Sequence, residues 1–215
     1  MKKIVMGILL TIGCSIGTVA DTFEEAVDAY NIDNYTEALR TFLALAKKHN
    51  LSAEYNLALL YAQGLGVTSD KEEAYKWYLK ASNQGHAMAQ FNLAKLYDNE
   101  VEDVRDNAKE AKYWYEQAIH SGIKEAYNNL GVLYFKGKGT SQSEKRAWVL
   151  FTKGVALGEA EAKVNLAILY AWGKSTTHNK LKAQQLLTQA IAQGQSQAKA
   201  YLNQLCTEST WVCEE

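Results

Sequence analysis

This chain of 215 residues contains no proline, few cysteines and no surplus of charge of either sign. Because proline breaks the interior of a helix, its absence favours a chain that is mostly helical. The 23 basic and 24 acidic side chains give a net charge of −1, without a basic stripe of the kind that binds nucleic acid. We therefore expect no nucleic-acid partner. The 47% of residues that are hydrophobic are enough for one continuous core.

Motifs for metal binding and catalysis are also lacking. No His-Glu-x-x-His or cysteine-rich ligand pattern includes any of the four histidines, which are His49, His86, His120 and His178. Gly137-Lys138 lacks the spacing and the following hydroxyl residue of a phosphate loop, and no Gly-x-Ser-x-Gly elbow occurs. We therefore expect no metal, no cofactor and no catalytic activity.

The first 20 residues have the features of a cleavable signal peptide. Lys2 and Lys3 precede an apolar run over residues 4–12, and small residues at 18–20 offer a cleavage site. This predicts an exported protein, either periplasmic or secreted. An alternative is a lipoprotein anchored through Cys14, which follows a small glycine. No later segment is apolar enough to cross a bilayer, so we expect no integral membrane segment after signal removal.

Two cysteines, Cys206 and Cys213, would remain in the mature chain. An even number of cysteines in an exported protein predicts a disulfide, because disulfides persist in oxidising compartments. Two free thiols are the alternative. We expect the disulfide to fasten a terminus that has no further repeat to pack on.

A pattern of 36 or 37 residues recurs four times along the chain. Asn-Leu pairs begin at residues 56, 92, 129 and 165, and a tyrosine follows four residues after each leucine. Glycines keep the same interval at positions 85, 122, 158 and 194. A period in this range indicates a solenoid of stacked units, none of which can bury its apolar face alone.

Each unit has the pattern of two antiparallel helices. In residues 50–85, one apolar helical face ends at Gly64-Leu65-Gly66, and a second helical face contains Trp77 and Tyr78. We predict an all-α fold, a right-handed superhelical solenoid of stacked antiparallel helix pairs. The predicted segments are a signal peptide (1–20), an N-terminal capping helix pair (21–49), four repeats (50–85, 86–122, 123–158, 159–194) and a C-terminal capping helix with a disulfide tail (195–215).

Several of these segments resemble a known family. The resemblance rests on three segments: Ala89–Ala94, the Gly64–Val67 turn, and Ala74–Ala81 followed by Gln84-Gly85-His86. They are similar to Sel-one-like repeats, a subclass of tetratricopeptide-like helical repeats. The last two repeats depart from the Trp-Tyr signature, with Leu150-Phe151 and Leu186-Leu187 in its place.

The resemblance implies a non-catalytic adaptor that binds a partner protein. Exported bacterial members of the family are scaffolds and interaction factors, so it implies a role in the cell envelope or the secreted fraction. Some cysteine-rich members have been proposed to bind penicillins or hydrolyse β-lactams, but they carry a cysteine pair in each repeat. A cell-wall-related enzyme or ligand binder, β-lactamase-like or penicillin-binding, is therefore the alternative function.

The candidate partner-binding residues lie at positions that vary between repeats. In superhelical arrays the first helix of each pair lines the concave wall, where the variable positions are Glu54, Gln90, Lys95, Tyr127, Asn128 and Lys163. Tyr127, Trp148 and Trp172 are aromatic where other repeats are mostly polar, and they would anchor a partner if exposed. Ordinary packing against a neighbouring helix is the alternative for these aromatic residues. A glycan-binding surface would need clustered exposed aromatic residues instead.

Overall fold

The computed structural model describes residues 22–98, 108–173 and 178–213. Within these ranges the chain forms α-helices and one 3-10 turn, without strands. The helices are α1 (Phe23–Asn31), α2 (Tyr35–Lys47), α3 (Leu51–Gln63), α4 (Lys71–Asn83), α5 (Ala87–Asp98), α6 (Ala108–His120), α7 (Glu125–Lys136), α8 (Glu144–Ala156), α9 (Ala160–Trp172), α10 (Lys180–Ala192) and α11 (Gln197–Glu208). The predicted signal peptide and Cys14 lie outside the described residues.

Consecutive helices pack as pairs, and each pair packs on the next. The pairs are α1 with α2, α3 with α4, α5 with α6, α7 with α8, and α9 with α10. First helices also meet across repeat boundaries, since α7 contacts α9 and α9 contacts α11. These contacts place α7, α9 and α11 on the inner side of the stack. The predicted all-α solenoid is confirmed.

Short polar side chains begin many of these helices. Asn50, Asp70, Ser143 and Asn179 each accept a hydrogen bond from the backbone N–H three residues later, at the start of α3, α4, α8 and α10. Such N-caps satisfy backbone donors that have no partner within the helix. The turn signals in the sequence therefore locate the helix ends.

The core repeats with the sequence. One row of alanines, fully buried, lies where second helices approach their neighbours: Ala74, Ala111, Ala147 and Ala183. Four residues further along each helix is a larger side chain, also buried: Tyr78, Tyr115, Phe151 and Leu187. Tyr61 and Trp77 pack against both the N-terminal cluster and the main cluster, so the two form one continuous core.

The second glycine of two turns sets the distance between neighbouring pairs. Gly66 and Gly139 have φ values of +71° and +65°. A Cβ atom at Gly66 would lie 2.5 Å from the Tyr35 carbonyl oxygen, and one at Gly139 would lie 2.3 Å from the Ala108 carbonyl carbon. Each turn therefore packs directly against the start of the second helix in the preceding pair.

The last helix is followed by a short tail that returns to the core. A disulfide joins Cys206 and Cys213, whose Cα atoms are 5.6 Å apart. Val212, in the 3-10 turn, is only 4% exposed. Lys180 donates a hydrogen bond of 2.5 Å to the Ser209 hydroxyl, which connects the tail to α10. Among the described helices, none has the length and apolar character needed to span a membrane.

Candidate partner-binding surface

Four of the predicted partner-binding side chains are buried. Glu54 is 0% exposed, and Gln90, Asn128 and Lys163 are 6%, 4% and 9% exposed. The expectation that these side chains form an open surface is wrong, because each bonds to a polar group of a neighbouring element. Their role in the described structure is to hold helices in place.

Three of these four residues occupy the same register and make the same kind of connection. Lys80 Nζ lies 2.9 Å from Glu54 Oε1, and Gln84 Nε2 donates to Glu54 Oε2 at 2.5 Å. In the next repeat, the Ser121 hydroxyl donates to Gln90 Oε1 at 2.8 Å. In the last repeat, Lys163 Nζ donates to Gln193 Oε1, also at 2.8 Å. A polar side chain on the first helix therefore reaches the end of the second helix of its own pair.

The third repeat replaces this polar connection by apolar residues. Tyr127 occupies the register of Glu54 and is half-buried. Leu157 occupies the register of Gln84 and is 52% exposed. Tyr127 lies beside Gly154 of α8, since a Cβ atom placed at Gly154 would be at ordinary van der Waals distance, 3.6 Å, from the Tyr127 Cβ. Tyr127 and Leu157 therefore make this position apolar in the third repeat, and a partner contact of Tyr127 stays a prediction.

Asn128 makes a different connection, forward to the following repeat. Its Nδ2 donates to Glu161 Oε2 at 3.1 Å, and its Oδ1 accepts from Asn165 Nδ2 at 2.7 Å. Both partners lie on α9, so the amide joins two neighbouring first helices. A contact with another protein would have to displace these bonds.

The remaining predicted residues differ in exposure. Lys95 is exposed on α5, with its ammonium 5.6 Å from the Phe91 ring centroid. Trp148 is half-buried against the core. Trp172 is also half-buried, and its Nε1 donates to Glu208 Oε2 at 2.6 Å. Ordinary packing therefore accounts for the observed contacts of both tryptophans.

A row of exposed positions on the second helices was not predicted from the sequence. It lies two residues after each buried alanine of the core row, and it consists of Lys76, Tyr113, Val149 and Gln185. Tyr113 is 48% exposed and Val149 is 41% exposed. The sequence did contain a signal for this surface, because the residue type at this position differs in every repeat while the alanine two residues before it is constant. We call these four residues the outer row.

His86, which immediately precedes α5, is the histidine whose pKa is shifted. Its ring stacks on Tyr55 with centroids 4.4 Å apart, and its Nδ1 accepts a hydrogen bond from the Ala89 backbone N–H at 3.2 Å. Burial lowers the pKa of His86. Because Nδ1 can accept this hydrogen bond only when the ring is neutral, the lowered pKa favours the bond. The bond satisfies a backbone N–H in the first turn of α5, so His86 caps that helix. Over the described ranges, no group of three or more histidine, cysteine or acidic residues is arranged to hold a metal ion.

Stacked helix pairs with a common core and a variable exterior define a helical-repeat solenoid. The Sel1 repeat profile matches residues 51–86, 87–123, 124–159 and 160–195. The chain therefore belongs to the Sel1 repeat family, as the resemblance in the sequence implies. The matched ranges begin one residue after the predicted repeat boundaries. Sel1 repeats generally form protein-interaction scaffolds.

Solved structures of bacterial repeat proteins are similar to this chain. A Sel1 repeat protein from Oxalobacter formigenes is 28% identical, with a TM-score of 0.74 over 86% of this chain and 75% of that one. The protective antigen c5321 of uropathogenic Escherichia coli, which displays an SLR fold, is 26% identical, with a TM-score of 0.72. That match covers 81% of this chain but only 37% of the antigen.

More distant similarity extends to other proteins and shows the fold alone. The immunity protein Pa5087 from Pseudomonas aeruginosa is 19% identical, with a TM-score of 0.53 over 81% of this chain and 68% of that one. A comparison with curated protein sequences gives no match.

Proposed function

We propose that this chain is a non-catalytic scaffold that binds a partner protein in the bacterial envelope or the secreted fraction. The observation that carries the proposal is the contrast between two neighbouring registers. The first register holds a fully buried alanine in every repeat, at positions 74, 111, 147 and 183. The outer row, two residues later, holds four different side chains: lysine, tyrosine, valine and glutamine. A constant core that displays a variable exterior suits recognition of another macromolecule.

Two surfaces could contribute to this binding. On the inner side, Lys95 and Tyr127 remain our candidate contact residues from the first helices, as an exposed cation and a half-buried aromatic ring. On the outer side, Tyr113 and Val149 expose apolar area on adjacent repeats. Tyrosine is enriched among the few residues that contribute most of the binding free energy at protein interfaces, and each surface carries one, Tyr127 or Tyr113.

Export is part of the proposal. The signal-like sequence of residues 1–20 supports it, although that segment lies outside the described residues. The disulfide between Cys206 and Cys213 supports it independently, because such a bond persists in an oxidising compartment. Fractionation of a tagged chain should place it in the periplasm or medium, and recovery in the cytoplasm with reduced cysteines would contradict this part.

Site-specific photo-crosslinking tests the binding proposal. The crosslinking amino acid p-benzoylphenylalanine would replace Tyr113, Val149, Lys95 or Tyr127, one position in each variant. Asn203, which is exposed on α11 and does not share the register of any of the four probe positions, provides the control position. We expect one adduct of constant mass from one of the two surfaces and none from position 203. Equal labelling at every position, or no adduct at any, would contradict the proposal.

The competing enzymatic function has a direct test. Purified protein with its disulfide intact should leave a chromogenic cephalosporin unchanged. Hydrolysis whose rate increases in proportion to protein concentration would overturn the non-catalytic part of the proposal.

A further inference from the structure

A groove of about 470 Å³ opens on the surface of the third repeat. It lies where α6, α7 and α8 meet, and its floor is formed by Leu130, Tyr134 and Leu150. Leu130 and Tyr134 belong to the buried core, so the groove gives a partner access to an apolar floor. A volume of this size accommodates a large side chain together with part of a peptide backbone.

The groove lies beside a position where the repeat lacks its usual aromatic ring. Trp77 and Trp114 occupy this register in the first two repeats, and Leu150 occupies it in the third. Trp114 packs into the core and is only 6% exposed. A leucine is smaller and has no flat ring, so it leaves space in the third repeat that a tryptophan fills in the second. Leu186 in the fourth repeat is also a leucine, but it is buried.

The rim of the groove carries two cations that have no carboxylate partner among the residues the structure describes. Lys145 and Arg146 lie in the first turn of α8, and both line the groove. Within the described part of the chain neither forms an ion pair. Glu116 also lines the groove, but its carboxylate is paired with Lys112 at 3.6 Å. The guanidinium of Arg146 lies 5.3 Å from the centroid of the Tyr134 ring, over the groove floor.

This pair of cations is unfavourable for the helix itself. The first turn of a helix prefers acidic side chains because its backbone N–H groups carry partial positive charge. In the first repeat the corresponding residues are Glu72 and Glu73, in agreement with that preference. In α8 only Glu144, at the first position, agrees with that preference. Lys145 and Arg146 follow it and leave the helix start with a net positive charge beside an apolar groove.

We propose that this groove binds an acidic segment of a partner protein through one aromatic side chain. The partner's ring would enter the space beside Leu150, and the carboxylates that flank it would pair with Lys145 and Arg146. The inference rests on the proposed function as a scaffold, and it names the surface and the chemistry of the partner. Apolar burial provides the affinity, and the charge pairing selects acidic segments over basic ones.

Peptide binding to the whole mature protein tests the inference. The probe is a fluorescein-labelled, amidated peptide, Gly-Ser-Trp-Glu-Glu-Ser, followed by fluorescence anisotropy. Two further peptides replace its tryptophan by alanine or its glutamates by lysines. We expect binding of the first peptide and at least about tenfold weaker binding of each of the other two.

Protein variants locate the binding to the groove. Leu150→Trp fills the space from within, and Lys145→Glu combined with Arg146→Glu reverses the charge of the rim. Each should weaken binding by about tenfold or more. Lys182→Glu is the matched control, since Lys182 has the register of Arg146 in the fourth repeat, and it should leave affinity unchanged. The double charge reversal is expected to fold because acidic residues suit a helix start, so the test does not depend on Leu150→Trp folding.

The outcomes separate this inference from the proposed function. Peptide binding that is absent, or that is unaffected by both groove variants, overturns the groove assignment. If a photo-crosslinked partner is still captured by these variants, the scaffold function remains and only the groove assignment fails. Self-association in sedimentation velocity that Leu150→Trp abolishes would assign the groove to a second copy of the chain and overturn the acidic-peptide proposal.

Discussion

Replacing Gly139 by alanine should destabilise the protein more than the same change at Gly85. Both glycines have positive φ, +65° and +87°, a region that costs an alanine about 1–2 kcal/mol. A Cβ at Gly139 would lie 2.3 Å from the Ala108 carbonyl carbon, whereas nothing lies within 4 Å of one at Gly85. Displacing packed atoms adds about 1–3 kcal/mol. We therefore expect losses of about 2–5 kcal/mol for Gly139→Ala and about 1–2 kcal/mol for Gly85→Ala.

Urea unfolding followed by circular dichroism measures both losses under the same conditions. Gly85→Ala serves as the control because it has the backbone strain without the contact between repeats. Gly66→Ala should behave like Gly139→Ala, since its Cβ would meet the Tyr35 carbonyl oxygen at 2.5 Å. Equal losses for Gly139→Ala and Gly85→Ala would refute the reasoning that the turn glycine sets the distance between neighbouring helix pairs.

Three other predictions concern stability. Reduction of the Cys206–Cys213 disulfide should lower the unfolding free energy by roughly 2–3 kcal/mol on the loop-entropy model; an unchanged urea midpoint with reductant would contradict this. Glu54→Ala should cost about 1–3 kcal/mol, because it removes a buried carboxylate that pairs with Lys80; the same urea assay checks it, and a neutral effect would count against the connection. Burial lowers the pKa of His86 below 6.5, so the unfolded chain binds the proton more tightly than the folded chain does. The free energy of unfolding is therefore highest above about pH 6.5, where His86 is neutral in both states, and it decreases as the pH falls. Urea midpoints between pH 5 and 7 should show this loss, and His86→Asn should reduce it; an identical pH profile in the variant would exclude His86 as the cause.

The fold could be predicted from the sequence because many residues report the same interval. Buried alanines such as Ala74 and Ala111, and the larger side chains Tyr78 and Tyr115, repeat with it and pack as expected. Glycine and N-cap residues such as Asp70 mark the helix ends through local backbone chemistry, which does not depend on distant contacts. In repeat proteins each unit contacts only its neighbours, so the residues that mark helix ends and the residues that form the core repeat at the same interval.

The candidate surface could be predicted only in part. Glu54 was predicted to line the partner-binding wall because its first-helix position varies between repeats. Its partner Gln84 is 30 residues away, and the hydrogen bond between them depends on tertiary structure. The groove beside Leu150 was missed for a related reason. A change from tryptophan to leucine is visible in the sequence, but the space that it leaves depends on how α6, α7 and α8 pack.

Hydrogen exchange of the whole chain at increasing urea concentrations tests most directly whether neighbouring repeats share one core. The account predicts that amides of α4 to α9 lose protection together, because each second helix packs on the next first helix as well as on its own partner. The terminal helices, with one neighbour fewer, should exchange earlier. Separate loss of protection by single helix pairs in the middle of the chain would contradict a continuous core.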